Sequence, residues 1–172
     1  YNALASGTDL NSGAAAAAAA YGASGSITVR QPAALTAAIT LSSTLRNVGQ
    51  QFAVTMTVQN TGGTDALVVA PSTLVPAGAG GVLLVSGPAP VTQTVSAGNS
   101  GIFVWTYQAV GSGSVTLAGT ASGQDQNSSA VVTSALATSA ALSVQAPANL
   151  QITSLVASPT TVGTGGTFTV LM

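Results

Sequence analysis

Gly49-Gln50-Gln51-Phe52-Ala53-Val54-Thr55-Met56-Thr57-Val58-Gln59-Asn60 is the stretch from which the chain is best read. Phe52, Val54, Met56 and Val58 fall on one face of an extended strand, and Ala53, Thr55, Thr57 and Gln59 on the other. That two-residue period is the mark of a half-buried strand. Asn60-Thr61-Gly62-Gly63 then stops it with turn formers. The opening returns near the end of the sequence, where Gly165-Gly166-Thr167-Phe168-Thr169-Val170-Leu171-Met172 matches Gly49 to Met56 at an offset of 116.

The repeat extends beyond this strand. Ser6-Gly7-Thr8-Asp9-Leu10-Asn11-Ser12 matches Ser122-Gly123-Gln124-Asp125-Gln126-Asn127-Ser128 at the same offset of 116. Ile27 and Val29 align with Leu142 and Val144, and Ala146-Pro147-Ala148-Asn149-Leu150 with Gln31-Pro32-Ala33-Ala34-Leu35, at 115. The one-residue difference reads as a small insertion in the first loop. The chain therefore divides into residues 1–29, the closing strands of one unit, residues 30–145, a complete unit, and residues 146–172, the opening strands of the next. Such periodicity is the signature of a tandem array. A continuous array is the first expectation, and exchange of edge strands between neighbouring subunits the second. Ala14 to Ala20 is locally helix-prone, but it aligns with Ala130 to Leu136 and is expected to be strand.

Composition narrows the function. Of 172 residues only 3% are charged: Arg30, Arg46, Asp9, Asp65 and Asp125. Lys, Glu, His and Cys are absent. Cysteine- and histidine-based metal centres and a histidine-dependent triad are thereby excluded, and neither a catalytic set nor a cofactor is expected. A net charge of -1 offers no footprint for nucleic acid, and no apolar run reaches the length of a membrane helix. A surface so poor in charge implies packing into an assembly, a coat of glycans, or residence in a larger chain.

Within 30–145, Leu35 to Leu41 alternates, Leu67-Val68-Val69 is a short strand, and Pro71 to Gly81 is a Gly/Pro-rich loop. Val82-Leu83-Leu84-Val85 is a continuous apolar run, consistent with a strand buried on both sides or at a sheet switch. Val91 to Val95 is a weaker strand, and Ile102 to Ala109 a strong one with Phe103, Trp105 and Tyr107 on one face. A long strand region from Ala130 to Val144 follows the loop at Ser122 to Ser129. About seven to nine strands at this spacing, with no helix, give an all-β, Ig-like β-sandwich in tandem repeats of about 116 residues.

The strand and turn at Val48 to Gly63, a Phe-x-Val-x-Met-x-Val-x-Asn-x-Gly pattern, resembles the second strand of bacterial Ig-like surface repeats of the CARDB type. Ala157-Ser158-Pro159-Thr160-Thr161-Val162-Gly163 is similar to the lead-in of that strand. The resemblance implies an extracellular or cell-surface protein serving as spacer, adhesin stalk or filament, whose partners are neighbouring copies or repeats of itself. The near absence of charge departs from the usual pattern of such repeats and favours a packed or glycosylated fibre.

Few residues invite a functional reading. Asp9 with Asn11, and Asp125 with Asn127, carry oxygens at the alternate positions calcium uses, but one carboxylate per unit is too few for its six to eight ligands. An Asx turn is the simpler reading. Asn127-Ser128-Ser129 is a glycosylation sequon. Asp65 has no evident partner, and Arg30 and Arg46 could pair with a neighbouring unit. Phe103, Trp105 and Tyr107 are expected in the core with Phe52, Val54, Met56 and Val58. Exposed, they would form a carbohydrate-binding stripe and make the chain an adhesin or a carbohydrate- or protein-binding module, which is the alternative function, with specificity in the Pro71 to Gly81 loop or on a sheet face. An enzyme or a transmembrane barrel is disfavoured by the missing residue types and by the 116-residue period.

Overall fold

The computed structural model describes residues 1–18 and 20–172. Among them every regular element is a β-strand. The chain forms two compact units, Tyr1–Gln31 and Pro32–Met172. The division falls two residues after the boundary expected from the repeat, and residues 146–172 group with the second unit.

The first unit holds β1 (Asn2–Ala3), β2 (Ser6–Thr8), β3 (Ala15–Ala17) and β4 (Gly22–Ala23), paired β1 with β4 and β2 with β3. Of the strand expected over Ala14 to Ala20, only Ala15–Ala17 forms, held by cross-strand partners Thr8, Gly7 and Ser6, while Ala14, Ala18 and Ala20 lie outside it. Ala19 lies outside the described residues.

The second unit contains β5 (Leu35–Leu41), β6 (Leu45–Asn47), β7 (Gln51–Asn60), β8 (Ala66–Pro71), β9 (Val75–Gly78), β10 (Gly81–Ala89), β11 (Gln93–Val95), β12 (Ser100–Gly111), β13 (Gly113–Gly119), β14 (Ala121–Asp125), β15 (Val131–Thr133), β16 (Ala137–Thr138) and β17 (Leu142–Gln145). It closes with a separate antiparallel pair, β18 (Val156–Ser158) and β19 (Thr169–Leu171). One sheet runs β10-β12-β7-β5, a second β11-β8-β14-β15, and a third β16-β13-β17-β6 with β9 also on β13. The arrangement is all-β and sandwich-like, with the sheets packed about a common core.

The alternating strands behave as their pattern demands. Phe52, Val54, Met56 and Val58 of β7 are buried, as are Phe103, Trp105 and Tyr107 of β12. The two strands lie side by side in unbroken antiparallel register from Ser100↔Gln59 to Gln108↔Gln51. Tyr107 stands opposite Phe52, and their rings stack with centroids 6.1 Å apart. Val115, Leu117, Leu142 and Val144 join the same core from the third sheet.

Four expectations are corrected. Val82 to Val85 is not buried on both sides: β10 is the edge of its sheet, and Leu83, Leu84 and Val85 are exposed. The Pro71 to Gly81 stretch is not all loop, because Val75–Gly78 pairs with Val115–Ala118. Ala130 to Val144 is not one strand but three, divided between two sheets. Two buried serines fill its breaks: Ser134 Oγ accepts from the Ala121 N–H and donates to the Ala135 carbonyl, and Ser139 Oγ accepts from Leu117 N–H and donates to the Ala140 carbonyl. A hydroxyl can thus stand in for a ladder partner where the strand region breaks, between two sheets at Ser134 and within one sheet at Ser139.

The fourth correction concerns the repeat. The pairs Ser6↔Ala17, Gly7↔Ala16 and Thr8↔Ala15 reproduce Ser122↔Thr133, Gly123↔Val132 and Gln124↔Val131, each residue shifted by 116. Val156↔Leu171 and Ala157↔Val170 reproduce Thr40↔Thr55 and Leu41↔Val54 in the same way. The offset is therefore already 116 at Val156, so the extra residue lies between Leu150 and Val156, before the first loop rather than in it.

Candidate functional site

The most constructed polar site is a buried latch at the start of β5. Asn60, Thr64 and Asp125 are all buried. Asp125 Oδ2 accepts the Ala33 N–H at 2.7 Å and the Thr64 hydroxyl in a short hydrogen bond. Its Oδ1 accepts the Asn127 N–H at 3.0 Å and both the N–H and the hydroxyl of Ser128 at 2.8 Å. Beside it, Asn60 Oδ1 accepts from Ala34 N–H and Gly62 N–H, and its amide donates to the carbonyls of Thr64 and Val95. Among the described residues no buried side-chain nitrogen or oxygen lacks a partner.

The chemistry of this cluster is structural. The Thr64 hydroxyl, then the Ala33 N–H and the Ser128 groups, hold the Asp125 carboxyl well below the ordinary value of 3.8. Both oxygens face hydrogen-bond donors, which suits an anion and opposes a cation. The calcium candidates Asp125 and Asn127 are thus an Asx turn, with Asn127 contributing its N–H. Asp9 and Asn11 form the same turn: Asp9 Oδ1 accepts from Asn11 N–H at 2.9 Å, Ser12 N–H at 2.8 Å and Ser12 Oγ at 2.9 Å. These bonds, those of Ser12 foremost, also lower the Asp9 carboxyl. Among the described residues no group of three or more acidic, His or Cys side chains is placed to hold a metal.

Gly62 shows how tightly the latch is built. A Cβ there would collide with the Pro32 carbonyl oxygen and lie 2.6 Å from Ala33 Cα and 2.7 Å from Ala34 N. Gly62→Ala is therefore expected to push Ala33 and Ala34 off Asp125 and Asn60 and to destabilise the second unit by about 1–3 kcal/mol. Urea unfolding checks this.

The remaining candidates fall in different places. Asp65 does have a partner: its Oδ1 accepts the Ala97 N–H at 3.0 Å. The Arg46 guanidinium donates to the Gln51 and Leu45 carbonyls. Asn127 is exposed at the turn, so its sequon is accessible. The aromatic face of β12 is core and offers no open stripe. Trp105 and Tyr107 reach the floor of a cleft of about 310 Å³ with Leu74, Leu84, Pro88 and Val91, and Phe103 does not line it. Sequence reasoning missed Asn60, Thr64 and the Ala33 N–H. A strand-ending Asn is an ordinary turn signal, and only its partners Ala34 and Val95, 26 and 35 residues away in sequence, reveal its company.

No family model matches the chain, and no curated protein matches it significantly. No helix among the described residues is long and apolar enough to cross a membrane.

Proposed function

We propose that this chain is a structural module of a secreted or cell-surface fibre built from Ig-like repeats. The carrying observation is the identity of register between the flanking pieces and the central unit at a shift of 116 residues. The Asp9 turn adds to it, repeating the Asp125 turn bond for bond on Oδ1. Equivalent segments folding alike support successive copies of one unit.

The sheet order supports the Ig-like reading. Taking β5, β7, β8–β9, β10, β12, β13–β14 and β15–β17 as strands A to G gives an A-B-E-D sheet and, with the second and third sheets read as one layer through β13–β14 and β11 left beside C, a C-F-G layer, which is similar to the arrangement of constant-type Ig domains. β6 runs parallel to β17 at the edge of the third sheet. In this reading the role is mechanical: each unit buries its own core, and Gln31-Pro32 and Ala146-Pro147 sit at the joints. The outer faces of β5, β7 and β12 carry Thr, Ala, Gln, Ile and Val but no charge, which lets neighbouring surfaces pack without repulsion. The partners are further copies or repeats of the chain, and the exposed sequon at Asn127 is the place for a glycan. No catalysis is assigned.

A binding module is the second reading, and the cleft floored by Trp105 and Tyr107 is the observation that favours it. Electron cryo-microscopy of the native material separates the two. A fibre of regularly spaced sandwiches is the expected result. Compact particles without an axial repeat would move the binding module to first place.

A further inference from the structure

We propose that the cleft between β10 and the β8–β9 connection is a binding site for a small, uncharged, largely apolar molecule that carries a carbonyl oxygen. The proposal rests on the binding-module reading above and names its ligand class. It is independent of the fibre reading.

An irregularity in one strand builds the cleft. β7 and β12 pair without a break, but β10 meets β12 through Leu84↔Tyr107, Ser86↔Thr106 and Ala89↔Val104, with register shifts on both sides of Ser86. Five steps along β10 thus face three along β12. Surplus residues bulge a strand and re-aim its side chains. Here Leu84 and Pro88 turn to the wall of the cleft, which Leu74 and Val91 extend. Gly87, between them, has a φ of 106°, and a Cβ there would lie 2.8 Å from Trp105 Cα and 3.1 Å from Trp105 Cδ1. Glycine therefore lets the bulged strand rest against the edge of the indole that carries Nε1.

The floor holds two polar atoms that the fold leaves unused. Trp105 and Tyr107 are 2% and 4% exposed. Neither the Trp105 Nε1–H nor the Tyr107 hydroxyl has a hydrogen-bond partner among the described residues, although every fully sealed side-chain nitrogen or oxygen there has one. Both atoms therefore keep an opening, and the cleft is the cavity that both residues line. Burial alone raises the pKa of the Tyr107 hydroxyl, with no hydrogen bond acting on it. A buried indole N–H or phenol ordinarily finds a partner.

The walls select the ligand. They are mainly aliphatic, and the Ser72 hydroxyl among them is taken up by the Thr120 N–H and the Thr73 carbonyl. None of the five charged side chains lines the cleft, so an ionic group would enter without a counter-charge and lose its hydration. A sugar fits poorly. Its ring would need an open aromatic face, whereas Tyr107 stacks on Phe52 and both rings are sunk in the core. Most of its hydroxyls would also give up water without gaining a partner. The volume of about 310 Å³ suits a small molecule. An indole N–H only donates, and a phenol donates or accepts, so one carbonyl oxygen on an apolar ring can answer both.

The single tryptophan makes the test direct, because the isotope-labelled full chain gives one indole N–H signal in its proton–nitrogen spectrum. Cyclohexanone is the probe, and methyl glucoside the comparison. Cyclohexanone is expected to move that signal saturably, with a dissociation constant on the order of 1–10 mM, as befits so small a ligand. Leu84→Arg and Val91→Arg, both at exposed positions, place a charge at the wall. Each should weaken binding at least about tenfold while leaving the rest of the spectrum in place. Tyr107→Phe keeps the ring but removes the hydroxyl, and should weaken binding about fivefold. A ketone response that is absent, does not saturate, or is unchanged in a folded arginine variant would overturn the proposal. A saturable response to the glucoside alone would overturn this ligand class yet uphold the binding module. No outcome bears on the fibre reading, which stands or falls on the axial repeat seen by microscopy.

Discussion

Phe103→Ala is expected to destabilise the central unit by about 3–5 kcal/mol. Phe103 is fully buried at the middle of β12, opposite Met56 of β7, itself fully buried. Truncation removes a ring from the inner face of the sheet's two central strands, and the register of nine consecutive pairs between them leaves little freedom to collapse around the void. Trp105, the one tryptophan of the chain, lies two residues away and is 2% exposed, so its fluorescence reports unfolding directly. The urea midpoint should fall by roughly 2 M for a slope near the usual range for a unit of this size. Ile102→Ala, one residue away on the exposed outer face of the same strand, should cost less than about 1 kcal/mol. Similar losses for the two variants would refute the assignment of the inner face.

Asp125→Ala should be the most damaging polar substitution. It strips the acceptor from the Ala33 N–H and the Thr64 hydroxyl and undoes the Asx turn at Asn127 and Ser128 in one step. Buried donors left unpaired weigh against the folded state more than the lost bonds alone. Asp125→Asn keeps an oxygen for the turn but turns an amide donor toward two donors, so it should fall between Ala and the parent. Asp9→Ala, in the corresponding but exposed turn at Asn11 and Ser12, should change stability far less.

The carboxyl of Asp125 also ties stability to pH. Its folded value is depressed, so the stabilisation is complete above the ordinary value of 3.8. It declines as pH falls below that value, because the unfolded chain takes up the proton first. Asp9 acts with the same sign. Urea midpoints measured from neutral pH down to about pH 2 should therefore fall steadily for the parent and less steeply for Asp125→Asn. Parallel profiles would show that the latch is not the acid-sensitive element.

What was legible in advance follows from how far each signal reaches along the chain. Alternation in β7 and β12 is local, and it located the strands and the faces of Phe52 to Val58 and of Phe103 to Tyr107 before any pairing was known. The alanine run shows the repeat outweighing propensity: alignment with Ala130 to Leu136 pointed to strand where composition pointed to helix. Val82 to Val85 shows the limit. A continuous apolar run is the same string whether the strand lies mid-sheet or at an edge, and only its neighbours distinguish the two. Val75–Gly78 became a strand because Val115–Ala118 lies beside it, a partner that its Gly/Pro-rich composition could not announce.

The sequence by itself determined the class of structure, the matching segments at an offset of 116 residues and the absence of the residue types that most catalysis needs. Those are properties of composition and short-range order. Only the tertiary structure decided that Asn60, Thr64 and Asp125 form one buried latch, that β10 is an open edge, and that the buried Trp105 and Tyr107 line a cleft beside it. Each of these depends on contacts between residues far apart in the chain, where the partner, and not the local pattern, sets burial and hydrogen bonding.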